Sequence, residues 1–542
     1  MLKTQLPLIL CLLIFGTLSG QNLLERTERG ITIQSTDSPN EISKKVKTFK
    51  SSKQLDLFQW DNRKSFKGLD IINLSINREN IKDLVANDAN QISINIPVSK
   101  NQSFTVELFK VNIMSEGAKV FTPDGEFKST NQMTFYRGVV QGDHGSIATL
   151  SVINDDVRVT IYDKDGVYRI TPTDFKSNDY GIWIDNAAQE KHFECGSSGE
   201  YSLGTTQHYN IERADVKRNQ KSLDDIVEVY VECDRELYND KGSTAGVEAF
   251  VNTLFAEIIA LYANESINME VSEIFVWTTN DPYRGNNNLG SVLPLFGQNT
   301  QNNFNGQIAT LLKGNTTNSC SISGLAWVDV LCNGYNSNQH SGPYNVNQGV
   351  GFCPLNSNPT SLWDALDVSL VAHEIGHNIA SPHTHGCCWG PNLNQAIDDC
   401  PGSNQNCTTG ATASCSEISG LPASEIGTIM SYCNDVDVFT KGFGTEPGDL
   451  MRNRVAAASC LAPGGGGGGG GQNCTETNLT YNNTTVPNNT TEYVSNRITL
   501  RNVVGVANNA NVFWQMGNDF VIEGEFTLPL TSDMEIMAEE CE

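Results

Sequence analysis

Apolar residues recur along this chain with two different periods, and the change from one to the other divides it. Between about residues 21 and 222, stretches such as SFTVELFKVNI and GSIATLSVINDDVRVTIYD alternate apolar and polar positions and lie between Gly and Asp turns. Such alternation, rich in β-branched residues, is typical of strands. We therefore expect a β-rich N-terminal segment.

From residue 226 to about 462 the pattern switches between strand-like and helix-like runs. The runs IVEVYVECD, INMEVSEIFVWTT and GLAWVDVLC predict strands, and GQIATLLKG suggests a short helix. The stretch GVEAFVNTLFAEIIALYANE has an apolar stripe at helical spacing, and SLWDALDVSLVAHEIGHNIA predicts a second long helix. This order predicts an α/β fold, an α/β sandwich with a mixed sheet.

A run of eight glycines, Gly464–Gly471, predicts a flexible linker. Beyond it, RITLRNVVGV and DFVIEGEFTL indicate a small β-rich module, built as repeated turns of a β-solenoid or as a small sandwich. A softer boundary lies in the polar stretch Arg213–Lys221. The predicted parts, listed in order, are a leader at 1–20, the N-terminal segment at 21–222, the α/β domain at 223–463, the linker at 464–471 and the C-terminal module at 472–542.

The first residues, MLKTQLPLILCLLIFGTLSGQ, have the layout of a secretory signal peptide. Lys3 precedes an apolar run that is too short to span a bilayer comfortably, and small residues follow up to Gly20. Cys11 lies inside this run, so we do not expect a lipoprotein anchor. We expect an exported, extracellular protein without a membrane span.

Negative charge is concentrated after residue 222. Met1–Ser222 has 27 basic and 27 acidic residues, so the remainder has 36 − 27 = 9 basic and 62 − 27 = 35 acidic residues and carries the whole net charge of −26. Such a surface repels nucleic acid and anionic membranes. It suits solubility outside the cell and is compatible with Ca²⁺, although no EF-hand or nonapeptide calcium motif is present.

Cysteine is abundant for an exported domain. Fourteen of the 15 cysteines lie outside the leader, and ten of them fall between Cys233 and Cys433. This density predicts disulfides, whose pairing cannot be read from the sequence. We expect the adjacent Cys387 and Cys388 to bond to different partners.

Histidine is scarce, yet four of the eight histidines lie in AHEIGHNIASPHTH, residues 372–385. On a helix, His373 and His377 are four residues apart and face the same side. Zinc prefers imidazole nitrogen at about 2.0–2.1 Å, and this spacing lets two imidazoles converge on it. Glu374 can lie beside the metal as a general base. Pro382 would end the helix and bring His383 round as a third ligand.

Three protein ligands leave one zinc position open for water, which is typical of catalytic sites. The alternative is a closed structural site with His385 or a cysteine as fourth ligand. We interpret His385 as a residue beside the ligands or at the surface. His144, His192 and His208 are scattered and suggest no site.

The pattern H-E-x-x-H-x-x-x-x-x-H, followed by GTIMSYC with Met430, resembles the metzincin proteases. It looks closest to their reprolysin/adamalysin branch and to secreted bacterial relatives. VEVYVECDRELY, GLAWVDVLC and AIDDC support this resemblance, which covers roughly 226–462. It implies a zinc endopeptidase with His373, His377 and His383 as ligands, Glu374 as base and Met430 packed beneath the metal. An edge strand near Gly324–Val330 would hold a protein or peptide substrate in extended conformation.

The N-terminal segment resembles the propeptide of the same family. The resemblance lies in FYRGVVQGDHGSIATLSV and in HFECGSS, which contains Cys195. It implies a zymogen in which the Cys195 thiolate occupies the open zinc position as a cysteine switch. There are 13 cysteines from Cys233 onward, an odd number, so Cys195 could equally pair with the odd one in a disulfide.

Two positions depart from the family pattern. Ala380 stands where the family has a glycine, and an alanine in the left-handed region would cost about 1–2 kcal/mol unless the helix ends differently. Tyr432, two residues after Met430, stands where the reprolysin branch commonly lacks a tyrosine. It is either a transition-state stabiliser that donates a hydrogen bond to the developing charge, or an aromatic packed under the site.

We therefore expect a secreted zinc metalloendopeptidase made as a zymogen. The alternative is a catalytically inactive, metalloprotease-like binding or adhesion protein. The complete H-E-x-x-H with its third histidine argues against that alternative. The sequence does not indicate the cleavage preference or the oligomeric state.

Overall fold

The computed structural model describes most of the chain between residues 41 and 538. The described ranges are 41–47, 53–66, 69–173, 179–185, 194–195, 226–314, 322–351, 365–400, 402–407, 411–433, 437–461, 476–486, 490–506, 511–516, 519–527 and 533–538. The predicted leader and the polyglycine linker therefore lie outside the described residues.

The N-terminal segment is built mainly of strands, most of them in one sheet. Its elements are α1 Glu41–Val46, β1 Lys53–Leu55, β2 Phe58–Phe66, β3 Leu69–Ile76, α2 Arg78–Asn87, β4 Gln91–Ser99, β5 Gln102–Val111, β6 Met114–Thr122, β7 Gly125–Phe127, β8 Met133–Val140, β9 Ile147–Ile153, β10 Asp156–Asp163, β11 Gly166–Pro172, β12 Asp179–Ile184 and β13 Glu194–Cys195. Ten strands form a sheet in the order β1-β4-β5-β8-β9-β10-β11-β12-β3-β2. Only β1 and β4 pair in parallel, so hairpins connect most of this sheet.

The following segment alternates strands and helices, as the apolar periods predict. Its elements are β14 Ile226–Cys233, α3 Arg235–Lys241, α4 Thr244–Asn264, β15 Asn268–Val276, α5 Leu289–Thr300, β16 Ile308–Gly314, β17 Ser323–Ala326, β18 Tyr344–Val350, α6 Ala365–Ile379, β19 Asn404–Gln405, β20 Thr412–Ala413, a 3-10 turn at Ala423–Glu425, α7 Val438–Lys441, α8 Thr445–Ala456 and a 3-10 turn at Ser459–Leu461. The mixed α/β class expected for this segment is confirmed.

Helices cover both faces of the central strands. On β14, Val229 and Val231 pack in the core that includes α4 and α6. The intervening Tyr230 faces the opposite core, which contains residues of α5. Strand β14 is therefore buried on both sides, as expected for the middle of a largely parallel sheet. Among the described residues, α4 is long and apolar enough to cross a membrane by length and composition, but most of it is buried inside the fold.

Two predictions in this segment were wrong in detail. GQIATLLKG forms the strand β16 rather than a short helix, and every residue of Ile308–Gly314 is buried. A short, continuous apolar run fits a fully buried parallel strand as well as a helix, and periodicity alone cannot separate them. The strand expected over Gly324–Cys332 ends at Ala326, because Asp329 and Cys332 turn the chain with φ of 55° and 66°.

The N-terminal segment contributes strands to the sheet of the α/β segment. This second sheet has the order β13-β17-β18-β16-β14-β15-β6-β7. Strand β6 pairs in parallel with β15 at one end, and β13 pairs in parallel with β17 at the other. The two segments thus share one sheet.

The two segments also share one core and a set of buried polar contacts. Phe109 and Val139 lie in the same apolar cluster as α4 and α6. Tyr162 packs on Phe439 with ring centroids 4.4 Å apart. The buried Arg169 of β11 bonds Glu257 of α4, with Nη1 to Oε1 at 2.9 Å. Separating the segments would expose this core and leave Glu257 without its guanidinium partner.

The C-terminal module consists of parallel strands. They are β21 Glu476–Val486, β22 Thr490–Val506, β23 Asn511–Met516, β24 Asp519–Thr527 and β25 Asp533–Ala538. Arg497 of β22 lies opposite Asn478 of β21 on one side and Asp519 of β24 on the other. Successive strands that pair in parallel stack as the rungs of a coil, whereas a small sandwich would use antiparallel hairpins.

Candidate metal centre

Three histidines converge at the end of α6. His373 and His377, one helical turn apart, have ring centroids 4.6 Å apart. His383 returns toward them after the helix, and its Nε2 lies 3.1 Å from Nε2 of His377. One ligand atom from each histidine lies within 4.8 Å of the others. The structure therefore brings together the three predicted ligands.

Backbone carbonyls fix the orientation of two of these rings. His373 Nδ1 is 2.7 Å from the carbonyl of Ile429, and His377 Nδ1 is 2.6 Å from that of Ser381. A carbonyl can only accept, so each Nδ1 carries the proton and donates. Each Nε2 is then left with its lone pair, in the tautomer that a metal-binding histidine needs.

Burial keeps these imidazoles neutral. It lowers the pKa of His377 to about 4, and it lowers the pKa of His373 and of His383 well below the ordinary range. Neutral imidazole is the form that binds metal. Three neutral histidines whose ligand atoms lie within 4.8 Å of one another fit the protein ligand set of a catalytic zinc ion.

The helix ends in a way that removes the expected strain at Ala380. Helix α6 stops at Ile379, and the amides of Ala380 and Ser381 both donate to the carbonyl of Gly376. Ala380 is not among the described residues with positive φ. Pro382 follows, so the chain turns back toward the site without a left-handed alanine.

Glu374 lies where α6 meets β17, which pairs with β13 on its outer side. It is fully buried, and its carboxylate contacts the backbone at Gly324 so closely that a Cβ there would overlap Oε1. A side chain at position 324 would therefore force the buried Glu374 carboxylate to move, a role of Gly324 that the sequence alone did not reveal. The predicted base and the predicted substrate strand lie side by side.

Met430 and Tyr432 lie on the other side of the three histidines. Met430 is fully buried, its Sδ would be 2.7 Å from a Cβ at Gly376, and its carbonyl accepts from the amide of Thr384 at 3.1 Å. The Tyr432 hydroxyl is 3.2 Å from Nε2 of His383. The tyrosine therefore faces the metal position as well as packing on the rings.

His385 is part of this group rather than of the surface. It is fully buried, and its ring stacks on His383 at 4.8 Å and lies 4.7 Å from the ring of Tyr432. His385 does not belong to the group of His373, His377 and His383 that could hold one metal ion. The sequence showed only that His385 follows a predicted ligand by two residues. Its packing against His383 and Tyr432 could be seen only in the structure.

Disulfides hold the loop after the site. They join Cys387 to Cys415, Cys388 to Cys407 and Cys400 to Cys433, and a further one joins Cys332 to Cys460. The expectation that Cys387 and Cys388 take different partners is confirmed. Cys233 is a buried free thiol in β14.

The N-terminal segment reaches the site through β13. In this strand Cys195 lies opposite Gly324 of β17, and Glu194 lies opposite Ser323. The backbone of the predicted switch residue is therefore next to the glycine that contacts Glu374. Strand β13 covers the outer edge of β17.

Comparison with known proteins gives one family match. Residues 224–440 match the family model Reprolysin_5, metallo-peptidase family M12. No curated protein matches the chain. Among solved structures, the crystal structure of metalloproteinase-II from Bacteroides fragilis is similar at 12% identity, with a TM-score of 0.34, over 56% of this chain and 85% of that chain. A TM-score this low supports no conclusion, so the family assignment rests on residues 224–440.

Proposed function

We propose, from the premise that residues 224–440 form a reprolysin-like metallopeptidase domain, that this chain is a secreted zinc endopeptidase made as a zymogen. The family makes it a metal-dependent protease that acts on peptides or proteins. The observation that supports zinc as the metal is the convergence of three neutral imidazoles, those of His373, His377 and His383, two of them oriented by backbone carbonyls. When bound there, zinc supplies Lewis acidity at the scissile bond.

The residues around the histidines supply the remaining chemistry. Glu374, buried beside β17, accepts a proton from the attacking water and passes it to the leaving amine. Tyr432, whose hydroxyl faces the metal position, donates a hydrogen bond as charge develops on the carbonyl oxygen. Met430 supports the ligands by packing.

An extended substrate would pair with the outer edge of β17. Main-chain hydrogen bonds to an exposed strand edge bind a peptide with little dependence on its side chains. This places the scissile bond beside Glu374, because Glu374 contacts the backbone of the same strand at Gly324.

The N-terminal segment would keep the enzyme silent. Strand β13 takes the edge of β17 that a substrate needs, and Cys195 lies opposite Gly324. We propose that Cys195 is the cysteine switch and that cleavage between 196 and 225, outside the described residues, releases it. If Cys195 instead forms a disulfide, replacing it should leave the unprocessed precursor inactive.

The disulfides and the leader support export. Four disulfides among the described residues are typical of proteins folded in an oxidising compartment. The proposed division is a leader at 1–20, a propeptide at 21–222, a catalytic domain at 223–463 and a C-terminal module at 472–542.

The test uses the full-length chain, because its two segments share one core. Wild type and Glu374→Gln are purified, activated with trypsin, and assayed for zinc content and for cleavage of casein. We expect about one zinc per chain in both, with activity only in wild type and lost on chelation. Zinc in both with no cleavage by either would contradict the protease and favour the binding or adhesion protein.

A further inference from the structure

The Asn378 side chain joins the histidine helix to the two strands beside the site. It follows His377 directly and is fully buried. Its Nδ2 donates to the carbonyl of Trp327 at 2.9 Å and to that of Tyr344 at 3.0 Å. Trp327 directly follows β17, and Tyr344 begins β18. The side-chain amide of Asn378 thus connects α6 to the ends of both strands by hydrogen bonds.

A ladder of buried amides fixes the orientation of this group. The two strand carbonyls can only accept, so Asn378 must turn its NH₂ toward them and its Oδ1 away. Oδ1 accepts from Nδ2 of Asn345 at 2.6 Å. Nδ2 of Asn345 also donates to Thr310 Oγ1 at 3.0 Å, and its Oδ1 accepts from Asn347 at 2.8 Å. Each amide therefore has one permitted orientation.

The backbone of Asn378 adds a second attachment. Its carbonyl accepts from the amides of Val330 and Leu331 at 2.9 and 3.0 Å, in the loop that follows β17. Residues four apart on a helix share a face, so Glu374 and Asn378 both face β17. Glu374 contacts the strand at Gly324, and Asn378 holds it at Trp327.

We infer that Asn378 is a positioning residue that sets the place of β17 relative to Glu374 and the histidines, an inference that rests on the proposed endopeptidase function. A peptide that pairs with β17 moves with that strand. Asn378 therefore sets the distance between the scissile bond and the reacting groups, without touching the substrate itself.

Loss of the Asn378 hydrogen bonds should lower the catalytic rate more than it lowers zinc binding. The rings of His373 and His377 are oriented by the carbonyls of Ile429 and Ser381, not by Asn378. A misplacement of about 1 Å in a bound substrate can lower the rate by about 10²-fold. For Asn378→Ala we expect kcat to fall 10- to 100-fold, with KM changed less and about one zinc per chain retained.

The matched control is Thr310→Val, which keeps the side-chain shape. Thr310 is fully buried in β16. Its hydroxyl accepts from Asn345 of β18, and among the described residues its side chain makes no hydrogen bond with α6 or β17. This variant should lower the melting temperature and keep wild-type kcat. Gly324→Ala disturbs the same contact between β17 and Glu374 from the strand side, because its Cβ would overlap the Glu374 side chain. It should lower kcat with zinc retained.

The experiment measures kcat, KM, zinc content and melting temperature for trypsin-activated full-length chains on labelled casein. Asn378→Ala with wild-type kcat, or with the same profile as Thr310→Val, overturns the inference while the protease stands. If Asn378→Ala does not fold, wild-type kcat in Gly324→Ala overturns it. A wild type that binds zinc without cleaving casein removes the proposed function, and this inference with it.

Discussion

Replacing Arg169 by methionine should destabilise the full-length chain more than any surface change. Arg169 lies in β11 with 2% of its side chain exposed. Its Nε bonds Asp185 Oδ2 at 2.6 Å, and its Nη1 bonds Glu257 Oε1 at 2.9 Å. Burial alone would lower the pKa of Arg169, but the two carboxylates outweigh it and raise the pKa above its ordinary value.

The expected loss in the free energy of unfolding follows from the two carboxylates that stay buried after the substitution. Glu257 and Asp185 are each 1% exposed, so both would stay buried after losing their bonds to Arg169. Removing one partner of a buried ion pair costs about 3–5 kcal/mol, because the remaining charge is uncompensated. Asp185 Oδ2 also accepts from the amide of Ala365, the first residue of α6, at 2.9 Å. The loss should therefore loosen the start of the histidine helix.

The assay is urea denaturation of the full-length chain, followed by tryptophan fluorescence. The control is Lys119→Met, which breaks the pair with Glu126, where both side chains are about half exposed. Exposed pairs contribute about 0–1 kcal/mol, so this control should lose less than 1 kcal/mol. Adding Glu257→Gln to Arg169→Met should recover part of the loss, since it removes one buried charge.

A loss for Arg169→Met no greater than that of Lys119→Met would refute this reasoning. So would an equal loss in the double variant, since the cost would then come from packing rather than from uncompensated charge. Either result would mean that uncompensated buried charge does not set the cost of losing Arg169.

Three further predictions concern the site and the sheet. Tyr432→Phe should lower kcat on casein by about 10²-fold or somewhat less, as for loss of one oxyanion donor, with zinc retained; full kcat would make Tyr432 a packing residue. Cys195→Ala should give casein cleavage by the unprocessed precursor, and a silent mutant precursor would refute the switch. Glu270 lies opposite Glu228, and burial together with that neighbour raises its pKa from 4.5 to about 7. The native state therefore binds the Glu270 proton more tightly than the unfolded state does. The stability that this proton provides is fully present below about pH 4.5 and is lost as the pH rises through about 7. Glu270→Gln should reduce the loss of stability between pH 5 and pH 8, and an unchanged pH profile of the urea midpoint would contradict this.

The histidine cluster could be predicted because its chemistry lies in one helical turn and the residues just after it. His373 and His377 are neighbours by spacing alone, and Pro382 indicated the turn that returns His383. Met430 came from the resemblance rather than from spacing, and its packing under Gly376 needed the structure.

Contacts between distant segments could not be predicted. Arg169 and Glu257 are 88 residues apart in sequence, and Asn378 bonds a carbonyl 51 residues away. No local pattern links such residues. Strand β16 was misread for a related reason, since a buried run such as Ile308–Gly314 is identified by its neighbours β14 and β18 rather than by its own period.

The sheet that the two segments share also could not be predicted from the sequence. Strand β6, Met114–Thr122, joins β15 of the following segment instead of the ten-stranded sheet, and no pattern in the sequence indicated this partner. Because strand partners are chosen by the assembled fold, the composition change near residue 222 marks a change of charge and not a separation of cores.

The zinc site is tested most directly by a crystal structure of the full-length chain with diffraction data collected on both sides of the zinc absorption edge. We expect one strong anomalous peak about 2.0–2.1 Å from Nε2 of His373, His377 and His383. No peak there, or a peak bound by fewer than these three residues, would contradict it.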